Sequence, residues 1–201
     1  MSNLSTKLSL VLAQILIFAV VFLAIVSLSS SIYIKPNEVG VATIRISDKL
    51  ANIQTLKPGL HAWPFEKDWI IFSTKVAVFN TDLQKVCVED VRVFPLVKSD
   101  DQSLSYHVSV CAMVTLNPDT IDSFHFKYYD REPGLSAEQM ALGLATIKAT
   151  TFIPNDFFED RVCVADAILE VLNHEMRQFG DEPMMSVGSV TVERITIQDM
   201  Y

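Results

Sequence analysis

A long apolar segment opens the chain. Between Lys7 and Lys35 no residue is charged, and only three polar residues interrupt the stretch 8–28. A helix of about 20 residues rises roughly 30 Å, which is the thickness of the hydrocarbon core of a bilayer. The pattern predicts a transmembrane signal anchor over residues 8–31, after a short polar N-terminus at residues 1–7.

A cleaved secretory signal peptide is the alternative, because small residues at 27–31 could form a cleavage site. Such peptides carry apolar regions of about 7–15 residues, so the longer segment favours an uncleaved anchor. Lys7 precedes the segment, whereas Lys35 and Glu38 cancel after it. The positive-inside rule then favours an N-terminus on the cytoplasmic or matrix side, with the following domain on the opposite side. Tyr33 and Lys35 are the predicted membrane-interface residues.

The first half of the remaining chain is rich in β-branched residues and alternates with a period of two, which predicts strands. The predicted strands cover residues 39–46, 70–80, 86–97 and 105–116. In the second of these, Ile70, Phe72, Val76 and Val78 fall on one face. Glu89 and Asp90 break the alternation in the third, which predicts a bulge or tight turn there.

The second half changes to helical periodicity. Ser136 and Gln139 form a predicted capping box for a helix that runs to about Thr151, and Asp156 with Glu159 is the predicted start of another. A stripe at 4,3 spacing predicts the packing face of this second helix. The face comprises Phe158, Val162, Ala165, Leu169, Leu172, Met176 and Phe179. A closing strand is predicted over 187–197, so the fold class is α+β.

Six residues are predicted to shape turns. Prolines fix φ at turn entry, and glycines permit positive φ or close backbone approach. These residues are Pro36, Gly40, Pro58, Gly59, Pro64 and Gly180.

Composition narrows the possible functions. The net charge of −8 and the absence of any run of four basic residues argue against nucleic-acid binding. Cys87, Cys111 and Cys163 are odd in number and scattered, so the sequence predicts small buried side chains rather than a disulfide or a metal knuckle. No zinc-protease, nucleophile-elbow or phosphate-loop motif occurs. We therefore expect no enzyme activity, no cofactor and no metal.

The order of motifs after the apolar segment resembles the SPFH, or band 7, superfamily of stomatins, prohibitins, flotillins and the bacterial HflK/HflC pair. The resembling segments cover much of residues 33–199. They are Ile34 to Val41, similar to a Pro-x-Glu-x-Gly-Val opening; Leu56 to His61, similar to Leu-x-Pro-Gly-Leu-His; Ser99 to Gln102; Asn117-Pro118; and Arg161 to Gly180 with the strand 187–197.

The resemblance implies an SPFH-like domain over residues 32–201, closest in layout to single-span prohibitin and HflC-like members. It also implies a non-enzymatic scaffold that self-associates or joins other SPFH proteins, contacts membrane lipids and organises membrane proteins, including a membrane-bound protease. The usual C-terminal coiled coil has no counterpart before Tyr201. We therefore expect a short ring or a subunit of a larger assembly. An accessory subunit that docks on a membrane enzyme complex is the alternative.

Overall fold

The computed structural model describes residues 2–29, 31–46, 49–62, 74–94, 104–129, 134–154, 157–177 and 182–199. Four α-helices, a short 3-10 helix (Pro118–Thr120) and eight strands occur in this described part. The helices are α1 (Ser2–Ser29), α2 (Ile121–Tyr128), α3 (Ala137–Thr150) and α4 (Arg161–Met176). The strands are β1 (Ile32–Ile34), β2 (Glu38–Ile46), β3 (Lys49–Leu56), β4 (Gly59–His61), β5 (Thr74–Asn80), β6 (Gln84–Val93), β7 (Leu104–Leu116) and β8 (Met185–Asp199).

The chain divides into two compact units, of which the first covers Met1–Val78. It contains α1, a two-stranded sheet of β1 and β4, and a three-stranded sheet in the order β3-β2-β5. A small apolar cluster forms its core, and Val76 of β5 packs against it. The cluster consists of Ile34, Ala42, Ile44 and Leu56.

Val76 and Val78 share one face of β5, but burial is not confined to that face. Val78 is 41% exposed, whereas Ala77 and Phe79 are buried. Side chains alternate across a strand, so burial of Ala77 and Phe79 places Val78 on the opposite face. Residues 70–73 of the predicted strand lie outside the described residues.

The second unit, Phe79–Tyr201, is built on an antiparallel sheet in the order β6-β7-β8. One face of β7 is almost fully buried from Tyr106 to Leu116, because α4 packs against β8 and α3 packs against β6 and α4. The ring of Tyr106 stacks on Phe158 with centroids 4.5 Å apart. The predicted break at Glu89 and Asp90 is confirmed: the β6–β7 register shifts between Val88 and Val91.

The helix boundaries follow from their caps. The capping box at Ser136 and Gln139 is confirmed, with the Ser136 side chain accepting from the Gln139 backbone N–H. The predicted start of α4 at Asp156 and Glu159 is wrong. The N-cap is Asp160, whose carboxylate accepts from the backbone N–H groups of Val162 and Cys163. Asp156 itself lies outside the described residues.

The packing face of α4 differs from the predicted stripe. Val162 is 69% exposed, and the fully buried positions include Val164 and Ile168. Phe158 is buried but precedes the helix, so it cannot define the helical face. The fully buried row of α4 starts at Val164 and recurs every four residues at Ile168, Leu172 and Met176. The remaining predicted residues divide as follows: Ala165, Leu172 and Met176 are buried, Leu169 is half-buried, and Phe179 lies outside the described residues.

The α+β class and the N-terminal apolar helix are confirmed. Four elements were not predicted: strands β1, β3 and β4, and the short helix α2. Each is short or weakly patterned, and the pairing partners of β1 and β3 lie elsewhere in the first unit. Tertiary pairing therefore defines elements that local periodicity leaves ambiguous.

Candidate functional site: the apolar helix, the β1–β4 sheet and the β6–β7 sulfur cluster

Helix α1 has the length and surface of a membrane span. Residues Leu10–Leu28 have a mean hydropathy of 2.9. The large apolar side chains from Leu10 to Ile25 are 47–75% exposed. A helix with apolar side chains on every side and no protein covering them requires an apolar surrounding. The exposed apolar surface of α1 is therefore suited to contact with lipid.

A small sheet begins directly after this helix. Strand β1 pairs antiparallel with β4, and Tyr33 lies opposite Leu60. Both side chains are largely exposed, at 63% and 71%. Ile34, next to Tyr33, is fully buried in the core of the unit. One face of the sheet is therefore anchored in the protein, while the other presents an aromatic and an aliphatic side chain outward.

The turn after β1 is held by an ion pair. Lys35 Nζ lies 3.0 Å from Glu38 Oε1, and the Lys35 backbone N–H donates to Glu38 Oε2 at 3.1 Å. The hydrogen bond from the Lys35 side chain, helped by the backbone N–H, holds the pKa of Glu38 below its usual range. The turn thereby holds Lys35, a predicted membrane-interface residue, in contact with the Glu38 carboxylate. The negative charge of Glu38 offsets the positive charge of Lys35.

Two glycines of the first unit have structural reasons for lacking a side chain. A Cβ on Gly40 would lie 3.0 Å from Ile34 Cδ1 and 3.1 Å from Leu56 Cβ, so a close approach of strands depends on it. Gly59 has φ +143°, at the start of β4. Pro36 lies in the turn between β1 and β2, and Pro58 immediately precedes Gly59.

Two of the predicted turn residues, Pro64 and Gly180, lie outside the described residues.

The cysteine prediction is wrong for two of the three residues. Cys87 of β6 and Cys111 of β7 lie directly opposite each other and form a disulfide. Sequence spacing could not reveal this pair, because it depends on the register of two strands joined by a long connection. Cys111 is 3% exposed, and Glu193 Oε1 lies 3.1 Å from its Sγ. Cys163 is a free cysteine in α4.

We call Cys87, Cys111 and Glu193 the sulfur cluster. Lys85 and Gln139 each contact one member of it. Lys85 Nζ lies 3.0 Å from Glu193 Oε1. The Gln139 side-chain amide of α3 donates to the backbone carbonyl of Cys87 at 3.0 Å. Cys87 also lines a groove of about 880 Å³ between β6 and α3. The Cys87 backbone is thus fixed from the α3 side, whereas the Cys87 side chain lies on the sheet face away from the helices, because side chains alternate along a strand.

The bulge in β6 is clamped by polar contacts. Asp90 adopts φ +60°, and its carboxylate lies 2.8 Å from His107 Nδ1. The Asp90 backbone N–H donates to Ser109 Oγ at 3.3 Å. The ion-pair geometry with His107 and the backbone contact with Ser109 both fix the strained residue. These contacts give Asp90, His107 and Ser109 a role in holding the strand.

A half-buried carboxylate joins helices α2, α3 and α4 of the second unit. Glu175 of α4 lies within ion-pair distance of Lys127 of α2, with Oε2 3.0 Å from Nζ, and contacts Lys148 of α3 through its other oxygen. The Lys148 hydrogen bond, with a further contribution from Lys127, lowers the pKa of Glu175 against the opposing effect of burial. The sequence contained no local signal for this network, because its members are 21 to 48 residues apart.

No curated protein matches the chain. The SPFH domain / Band 7 family model matches residues 32–201, a region that starts at the first residue of β1 and includes the β1–β4 sheet and the β6–β7 sulfur cluster. The chain therefore belongs to the SPFH domain / Band 7 family.

Proposed function

We propose that the protein is a membrane-anchored scaffold that associates laterally with copies of itself or with other SPFH proteins and thereby organises membrane proteins or lipids. SPFH proteins are in general non-enzymatic, membrane-associated scaffolds. In this role, the scaffold modulates a membrane protease.

The observation that carries the proposal is the short connection between α1 and the β1–β4 sheet. Only two residues separate Ser29, the last residue of α1, from Ile32, the first residue of β1. Three Cα–Cα steps span at most about 11 Å, so β1 starts within that distance of the helix end. An exposed tyrosine and leucine at this depth match the interfacial zone, where amphipathic aromatic rings are favoured. The β1–β4 sheet of the first unit is thus held close to the bilayer rather than on a long tether.

The exposed pair on the sheet can be tested separately from association. Simultaneous replacement Tyr33→Ser and Leu60→Ser removes both apolar contacts, while Leu83→Ser provides a matched control at another exposed leucine of 63% accessibility. A nitroxide attached at position 33 or 60 of the protein in nanodiscs should be relaxed more strongly by a lipid-soluble reagent than by a water-soluble one. If a nitroxide at either position is as water-accessible as one at position 83, the interfacial placement is wrong.

Orientation follows from two independent features. Lys7 favours an N-terminus on the cytoplasmic or matrix side. The Cys87–Cys111 disulfide favours a domain on the opposite, oxidising side, where disulfides persist. In sealed membrane vesicles with the cytoplasmic or matrix face outward, protease should leave the domain intact until detergent is added. Digestion of the domain in intact vesicles would reverse the proposed orientation.

Lateral association is tested by co-expressing two copies of the full chain with different affinity tags. After extraction in membrane nanodiscs, capture through one tag should recover the other, together with any SPFH partner. Mixing separately extracted samples controls for association after extraction. Recovery of one or two copies with a single enzyme complex would instead indicate an accessory subunit, and recovery of an isolated monomer would refute the scaffold.

A further inference from the structure

The sulfur cluster of the second unit contains three groups that can bind a metal ion, in addition to forming a disulfide. Cys87 Sγ, Cys111 Sγ and a carboxylate oxygen of Glu193 all lie within 4.8 Å of one another. The three residues come from three adjacent strands of one sheet, β6, β7 and β8. Two sulfur donors and one carboxylate, on a rigid sheet, are a donor set that zinc accepts in proteins.

We propose that Cys87, Cys111 and Glu193 form a redox-gated site for a zinc-type divalent cation, which binds only when the disulfide is reduced. A disulfide has no thiolate to donate, so the covalent bond and the metal exclude each other. In the metal state, the two thiolates and the Glu193 carboxylate supply three ligands, and water fills the fourth tetrahedral position.

The required geometry is accessible from the observed positions. Two sulfurs on one zinc ion lie about 3.8 Å apart, as follows from tetrahedral Zn–S bonds of about 2.3 Å. Cys87 and Cys111 occupy directly opposed positions, with Cα atoms 4.1 Å apart, so side-chain rotation can separate the sulfurs to this extent. The Gln139 amide on the Cys87 carbonyl keeps the edge strand in place.

The chemistry balances in two steps. A dithiol reductant transfers two electrons and two protons to the disulfide: the S–S bond of the protein breaks, and the reductant becomes a cyclic disulfide. The zinc ion then displaces one proton from each thiol, and two Zn–S bonds form. Cys87 is half-buried, whereas Cys111 is 3% exposed, so a reductant can approach the Cys87 sulfur more readily.

Lys85 sets the affinity of the site. Its ammonium group lies 3.0 Å from Glu193 Oε1 and competes with the cation for that carboxylate. Lys85→Met should therefore tighten zinc binding, whereas Glu193→Gln should weaken it at least about 10-fold because a ligand is lost. Glu89→Gln is the control, since Glu89 is an exposed carboxylate of β6 outside the cluster.

The test uses the full chain in detergent with Cys163→Ser, which leaves only the paired cysteines. After reduction with a phosphine and removal of excess reagent under nitrogen, isothermal titration with Zn²⁺ should give one ion per chain. Co²⁺ should give the intense sulfur-to-metal charge-transfer absorption of thiolate ligation. The oxidised protein, and the reduced Cys111→Ser variant, should show neither signal.

Three results would overturn the proposal: no zinc binding by the reduced protein, equal binding by its oxidised form, or equal binding by Cys111→Ser. Circular dichroism accompanies each titration. Loss of the sheet signal on reduction would also contradict the proposal, because the site requires β6 and β7 to stay paired without the disulfide. None of these results bears on lateral association, which is measured separately.

Discussion

The disulfide between β6 and β7 makes a quantitative prediction about stability. Cys87 and Cys111 are 24 residues apart in sequence. In the chain-entropy treatment, closing a loop of this size removes about 12 cal/mol/K from the unfolded ensemble, which is about 3.5 kcal/mol at 25 °C. Replacement of both residues, Cys87→Ser with Cys111→Ser, should therefore lower the free energy of unfolding by about 3 kcal/mol.

The assay is thermal unfolding of the full chain in detergent, followed by circular dichroism in the sheet region. For a chain of this size, a loss of about 3 kcal/mol lowers the midpoint by about 10 °C. Cys163→Ser, at a half-buried helical position without a disulfide, is the control and should shift the midpoint by only a few degrees. Phosphine reduction of the unmodified protein should reproduce the shift of the double variant.

A midpoint that is the same with and without the disulfide would refute this reasoning. It would mean that the cross-link closes a loop that is already closed in the unfolded ensemble, or that the two thiols are not joined in the protein. Mass spectrometry after alkylation distinguishes these cases, because a disulfide protects both cysteines from the reagent until reduction.

Three further predictions concern packing and charge. Glu175→Gln should lower the free energy of unfolding at neutral pH by about 1–3 kcal/mol. Because the pKa of Glu175 is lowered in the folded protein, the stabilisation from its carboxylate is lost as pH falls below 4.5. Urea unfolding as a function of pH should therefore show a smaller acid destabilisation for the variant than for the unmodified protein. Gly40→Ala should cost about 1–3 kcal/mol in thermal unfolding, since the added carbon would lie 3.1 Å from Leu56 Cβ; an unchanged midpoint would show that the strands can separate freely. Ile168→Ala should cost about 2–5 kcal/mol, whereas Val162→Ala, at a 69% exposed position, should cost less than about 0.5 kcal/mol; equal losses would restore the packing face predicted from sequence.

Local chemistry made parts of the fold predictable. The Ser136 capping box and the irregularity at Asp90 depend on neighbouring residues, so both are visible in the sequence and both are present in the structure. The apolar segment is equally local, because its length and lack of charge suffice to define α1.

Features that depend on register or helix phase were not predictable in the same way. Val162 fits the 4,3 stripe together with Ala165 and Leu169, but the fully buried row of α4 runs through Val164, Ile168 and Leu172. The Cys87–Cys111 pair requires the β6–β7 register, which a single sequence does not provide. The candidate metal site depends further on Glu193, on a third strand and more than 80 residues from Cys111.

The most direct test of the central claim is the mass of the particle that the full chain forms in its membrane. Native mass spectrometry of nanodiscs cut from that membrane, without prior detergent, measures the number of copies and the neighbouring proteins together. A membrane scaffold of the SPFH family predicts particles with many copies of this chain, alone or with related subunits. Particles that contain one copy and no other membrane protein would contradict it.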